Sequence, residues 1–188
     1  MNNFFKILVM FFSIGLLNHA EAARPMLTDD ARIVDPKSCQ LESWVRDSKN
    51  VTEYWALPAC NVGENLEVTI GGSLENESGH SSFANELYQM KSIIQPIAPN
   101  QTGFSIVLGN GRDPKRAMNK AIQDWFLNVP MSYPYNDRLV IHTNLGVTHL
   151  TDEHKEKMNW GLSSEYNYNE RVDLISEVFN QSSNSTFF

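Results

Sequence analysis

Along residues 158–181, MNWGLSSEYNYNERVDLISEVFNQ, apolar groups fall on alternate positions: Met158, Trp160 and Leu162, then Val172, Leu174 and Val178. Asn159, Gly161, Ser163, Glu165, Arg171, Asp173 and Glu177 fill the gaps. Period two is the period of a β-strand, whose successive side chains leave on opposite faces. A loop through Tyr168, Asn169 and Glu170 would fold this stretch into a hairpin with Trp160 opposite Val178, Leu162 opposite Ser176, Ser164 opposite Leu174 and Tyr166 opposite Val172. The second face would then pair Gly161 with Glu177, Ser163 with Ile175 and Glu165 with Asp173, a polar surface rich in acids.

The same alternation recurs between turn-rich stretches and predicts an all-β chain with strands near 37–46, 51–60, 65–74, 82–93, 102–109, 118–129, 138–148, 157–167 and 171–180. Segment 118–129 fits a helical stripe equally well, through Met118, Ile122, Trp125 or Phe126, and Val129. The connections alternate in kind. RDSKN, GSLENESGHSS, GNGRDPKRA and HLTDEHKEK are mostly long and charged, whereas NVGEN, QPIAPNQTG, SYPYND and NYNER are shorter or stiffened by proline. Long loops on one rim and tight turns on the other mark an antiparallel up-and-down transmembrane β-barrel. Tyr133, Tyr135, Tyr166 and Tyr168 flank the short connections, where a membrane interface suits a ring with a hydroxyl. On this reading Trp160, Leu162, Leu174 and Val178 face lipid, and Glu165, Arg171, Asp173 and Glu177 face a lumen. A soluble β-sandwich would instead bury the apolar face and wet the other.

The opening MNNFFKILVMFFSIGLLNHAEA has a cation at Lys6, a short apolar run and the small-residue triplet Ala20-Glu21-Ala22. It reads as a cleaved secretory signal over 1–22, because the run is shorter than the ~20 residues a spanning helix requires. An N-terminal periplasmic segment, 23–36, and a barrel domain, 37–188, follow. Nine strands leave residue 188 on the outer side, whereas bacterial barrels use even numbers, so the expected barrel is incomplete and C-terminally truncated. The formal charge is −7, and Lys and Arg form no basic stripe, which argues against nucleic acid as a partner.

Cys39 and Cys60 are the only cysteines, and export makes a bridge between them plausible. Both lie equally far from a loop centred between Lys49 and Asn50, so a hairpin there sets them opposite each other. His142, His149 and His154 lie near one loop with Asp152 and Glu153, but a regular strand separates His142 from His149 by about 23 Å, too far to share a metal. No nucleophile elbow or phosphate-binding loop occurs, so no catalytic residue, metal or cofactor is assigned and the chain is not read as an enzyme.

ARPMLTDDARIVDPKSCQLESWVR, EYWALPACN, VIHTNLGVTH and WGLSSEYNYNERVDLISEVFNQ resemble a family of proteobacterial outer-membrane proteins grouped loosely with the channel-like barrels of the meta-pathway for phenol degradation. The resemblance spans nearly the whole mature chain. It implies a membrane β-barrel acting as a channel or transporter for small solutes, hydrophobic or aromatic ones included, without cofactor or catalytic residues. Members of that family run on through further strands. The expected partners are outer-membrane lipid, the barrel-assembly machinery and a small solute. The alternative is a soluble periplasmic β-protein that binds a ligand or partner.

Overall fold

A computed structural model of the chain describes residues 26–114, 124–151 and 153–180. Among the described residues nine strands follow one another: β1 (Cys39–Ser48), β2 (Val51–Gly63), β3 (Leu66–Glu77), β4 (His80–Gln95), β5 (Gly103–Arg112), β6 (Asp124–Asn136), β7 (Leu139–Leu150), β8 (Lys155–Asn169) and β9 (Val172–Asn180). Each pairs antiparallel with the next, and β1 and β9 are the two edges of an open half-barrel. The sheet is therefore the expected all-β meander, with its first and last strands unpaired with each other.

Two expectations need correction. The sixth strand begins at Asp124 and runs to Asn136, through proline-bearing VPMSYPYN, so the stretch taken as a turn is strand; residues 118–123 lie outside the described residues. In the last hairpin the register differs by two: Trp160 faces Asn180, Leu162 Val178, Ser164 Ser176 and Tyr166 Leu174. On the other face Ser163 meets Glu177, Glu165 meets Ile175 and Asn167 meets Asp173. The turn is tighter than expected, closing between Asn169 and Val172, with a bulge between Asn167 and Asn169 taking up the odd residue. A shift of two exchanges partners but leaves every side chain on its own face.

The convex face is apolar. Trp160, Leu162, Leu174 and Val178 lie on it, as do Leu108, Leu127 and Leu145, all exposed. The concave face is polar in the half nearer the short turns, with buried Glu67, Lys91, Ser105, Ser132, His142 and Asn144. Toward the long loops it carries a small core of Leu87, Val107 and Phe126 with Leu57 beside them. The Phe126 ring lies over Gly109, where a β-carbon would overlap it. Gly109→Ala should therefore cost ~1–3 kcal/mol by forcing the ring aside, measured as a shift in denaturant midpoint at unchanged slope.

Cys39 and Cys60 are bonded, directly opposed in the β1–β2 ladder with Cα atoms 4.1 Å apart. The bridge closes a sequence separation of 21 residues. Removing it with Cys39→Ser and Cys60→Ser should lower stability by ~3 kcal/mol, chiefly through the freer unfolded chain, and equilibrium unfolding of the double variant checks this. Immediately before Cys39 the chain reverses: Ser38 N–H donates to Asp35 O at 3.0 Å. Pro36 and Lys37 hold the corners, with Lys37 at φ 63°, the left-handed value a type II turn requires at its third position. That turn sends residues 26–35 back into the half-barrel.

Candidate functional site: a peptide strap across the concave face

Residues 26–35 lie against the concave face and cross its strands from β9 toward β2. A backbone lying crosswise on a sheet finds the ladder groups beneath it already paired, so its own N–H and C=O must be met by side chains. Side chains of the sheet meet them at five residues. Leu27 and Thr28 N–H both donate to Glu177 Oε2 at 3.1 Å. The Asn144 amide donates to Asp29 O at 2.7 Å and accepts from Asp29 N–H at 2.6 Å. Ala31 N–H donates to Ser132 Oγ at 2.9 Å, and Ser105 Oγ donates to Ala31 O at 2.9 Å. Val34 N–H donates to Glu67 Oε2 at 2.8 Å, and Asn61 Nδ2 donates to Val34 O at 2.8 Å.

Side chains of the strap supply charge. Lys91, buried on β4, donates to Asp29 Oδ1 at 2.8 Å and lies 3.7 Å from Asp30 Oδ1. Arg32 bridges Asp30 at 2.6 Å and Glu165 at 2.8 Å. Burial raises the pKa of Asp29, with Lys91 opposing that rise and the neighbouring Asp30 adding to it. Burial acts the same way on Asp30, but the charges of Lys91 and Arg32 outweigh it and hold that carboxyl below its ordinary value.

Ser132, His142 and Glu165 form a chain under the strap: Ser132 Oγ is 2.8 Å from His142 Nδ1, and His142 Nε2 is 3.3 Å from Glu165 Oε2. The Glu165 carboxylate can only accept, so Nε2 carries the proton it receives, and the neutral imidazole of that tautomer leaves Nδ1 to accept from the Ser132 hydroxyl. Arg32 meets the same Glu165 oxygen, so Ala31 and Arg32 grip the two ends of one relay. The order resembles a nucleophile, base and orienting acid, yet Ser132 is fully buried and its oxygen is engaged by the strap.

At the strap's first turn Thr28, fully buried, packs on Gly161, where a β-carbon would come 2.6 Å from Thr28 Oγ1. Gly161→Val should therefore lift Leu27 and Thr28 off Glu177. Faster hydrogen exchange at those two amides, with the β7 and β8 amides unchanged, is the expected result.

A family model matches residues 11–187. The chain belongs to the family described as Uncharacterised conserved protein UCP029691. No curated protein and no solved structure matches it.

Of the residues assigned to a lumen from the sequence, Glu165 and Glu177 are brought together by the strap, and Asp173 shares their face, pairing with Asn167. Arg171 does not; it sits in the β8–β9 turn, its N–H donating to Asn169 Oδ1 at 2.9 Å. Tyr133, Tyr135, Tyr166 and Tyr168 ring the short-turn rim, all exposed. His142 and His149 fall on opposite faces, the first buried under the strap and the second stacked on Trp125 at 5.5 Å. Among the described residues no group of His, Cys, Asp or Glu could hold a metal ion. Lys91, Ser105, Ser132 and Asn144 were not singled out from the sequence, where inward parity was their one available signal, and neither was the Thr28–Arg32 run, which lies outside any strand and carries no such signal.

Proposed function

We propose that this protein is an outer-membrane β-barrel protein that passes or holds a small solute, its convex face in lipid and its lumen closed by the strap. The observation that carries the reading is the distribution of charge on the convex face. Among the described strand residues, the outward charges are Asp47, Glu86, Arg112 and Glu156, all toward the long-loop end. Below Glu86 the outward positions of β4 are Tyr88, Met90, Ser92 and Ile94. The eight residues 87–94, at ~3.3 Å each, span about 26 Å, the height of an apolar barrel band. A solvated sheet face would have no reason to exclude charge over that distance.

The exposed tyrosines at the short-turn rim fit the lower edge of such a band. No helix among the described residues is long and apolar enough to cross a membrane; on this reading the strands would span it, with each backbone group paired along the ladder. With the strap in place the concave face is occupied along its polar half, so solute passage would require that segment to move.

The test is reconstitution into vesicles whose acyl chains carry bromine, with Trp44, Trp55 and Trp125 replaced by phenylalanine. Trp160 fluorescence should fall steeply as the bromine is moved toward mid-chain depth. A protein that stays in the aqueous phase without detergent, its Trp160 emission indifferent to brominated lipid, would instead be the soluble periplasmic binder.

A further inference from the structure

We propose that the concave face is a binding site for an extended peptide, and that residues 27–34 are its occupant in cis. This goes beyond the membrane reading and does not depend on what meets the convex face. The recognition is mostly of main chain: Glu177, Asn144, Ser132, Ser105, Glu67 and Asn61 bond the N–H or C=O groups of Leu27, Thr28, Asp29, Ala31 and Val34. Such contacts accept many side chains. Sequence is read at two places, by Lys91, which takes carboxylates, and by Glu165, which takes a cation. The ligand class that follows is a short extended peptide with an acidic residue a few positions ahead of a basic one.

The manner of attachment makes the occupant exchangeable. Leu27 is 36% exposed and Ala31 is the small residue at the centre, so the strap has no large side chain sunk in a core. Its hold is a set of hydrogen bonds, each weak on balance because water offers the same groups a partner, together with the ion pairs at Lys91 and Glu165, and another peptide of matching charge can replace them one at a time. What keeps it seated is tethering through the Asp35–Ser38 turn, itself stapled to the sheet by the Cys39–Cys60 bridge. A tether this short gives an effective concentration on the order of millimolar, which shields the site from dilute competitors. Severing the turn removes that protection while leaving the site intact.

The experiment places a protease site in the Asp35–Ser38 turn of the full chain, folds it in detergent micelles and cleaves it. A fluorescent peptide of residues 26–35 is then added and followed by polarisation. The expected result is saturable binding after cleavage and none before it. A peptide with alanine in place of Leu27, Ile33 and Val34 should bind within about threefold, while the all-D peptide should not bind. Lys91→Met should weaken the labelled peptide more than tenfold, and so should a peptide with asparagine at both aspartates. If the cleaved strap stays bound and resists exchange against excess peptide in a folded protein, the strap is an integral element and the proposal fails. Loss of the strap without uptake of the labelled peptide, the sheet's circular dichroism being unchanged, overturns it as well. Neither outcome touches the bromine-quenching result, so the two readings stand or fall separately.

Discussion

Leu145→Arg should destabilise the protein by ~2–4 kcal/mol when it folds in a bilayer, the cost of setting a guanidinium in hydrocarbon near mid-depth. Leu145 lies midway along β7 on the convex face, between Val129 and Trp160 on the neighbouring strands, and 56% of it is exposed. In water, a substitution at so open a position would usually change stability by within about 0.5 kcal/mol. The same variant therefore separates the two environments. Equilibrium unfolding from vesicles measures it, and a value near zero there would remove the main support for lipid on the convex face. Arginine at Gln89, on the inward side of β4, is the control, and it should cost much less.

The second large effect is expected at Lys91. Its side chain is 5% exposed, and its ammonium faces Asp29 and Asp30. Lys91→Met should cost ~3 kcal/mol at neutral pH, because it strands carboxylates that burial already disfavours in their charged form. Adding Asp29→Asn and Asp30→Asn to the same chain should recover much of that loss, since neutral amides need no counter-charge; a double-mutant cycle by chemical denaturation measures the coupling. The pH dependence has a definite sign. Without Lys91, the main opposition to the rise that burial imposes on Asp29 is gone, so its folded pKa lies still further above its unfolded one. A group shifted that way gains stability as pH falls through its folded value. The deficit of Lys91→Met relative to the native chain should thus shrink from neutral pH toward the carboxylate range. A deficit that grew on acidification would show that the carboxylates are not what the lysine compensates.

Period two in the sequence was enough to locate every strand but β6 and to set the side of the sheet on which nearly every strand residue lies. Side-chain direction in a strand is a local property of the backbone, set before any partner is chosen, which is why Trp160, Leu162, Leu174 and Val178 share one face under either register. The Cys39–Cys60 bond was legible for a related reason: a two-residue turn leaves the β1–β2 hairpin one symmetric register, and the cysteines stand opposite in it. Register in the last hairpin was not, because Tyr168 could be a loop residue or a bulge at similar cost, and a choice between the two moves the partners by two without moving a face. Strand β6 was displaced because Pro130 and Pro134 read as punctuation, whereas the sheet accommodates both within a ladder shared with β7. The strap was decided by tertiary structure alone. Polar residues at the inward positions of β2 to β9 have the same pattern whether they face water or a peptide, and Thr28 to Arg32 carry no periodicity of their own. Only curvature, which brings Asn61, Lys91, Ser132 and Glu177 from distant parts of the chain around one hollow, creates a surface on which an extended segment can have its backbone groups met by side chains.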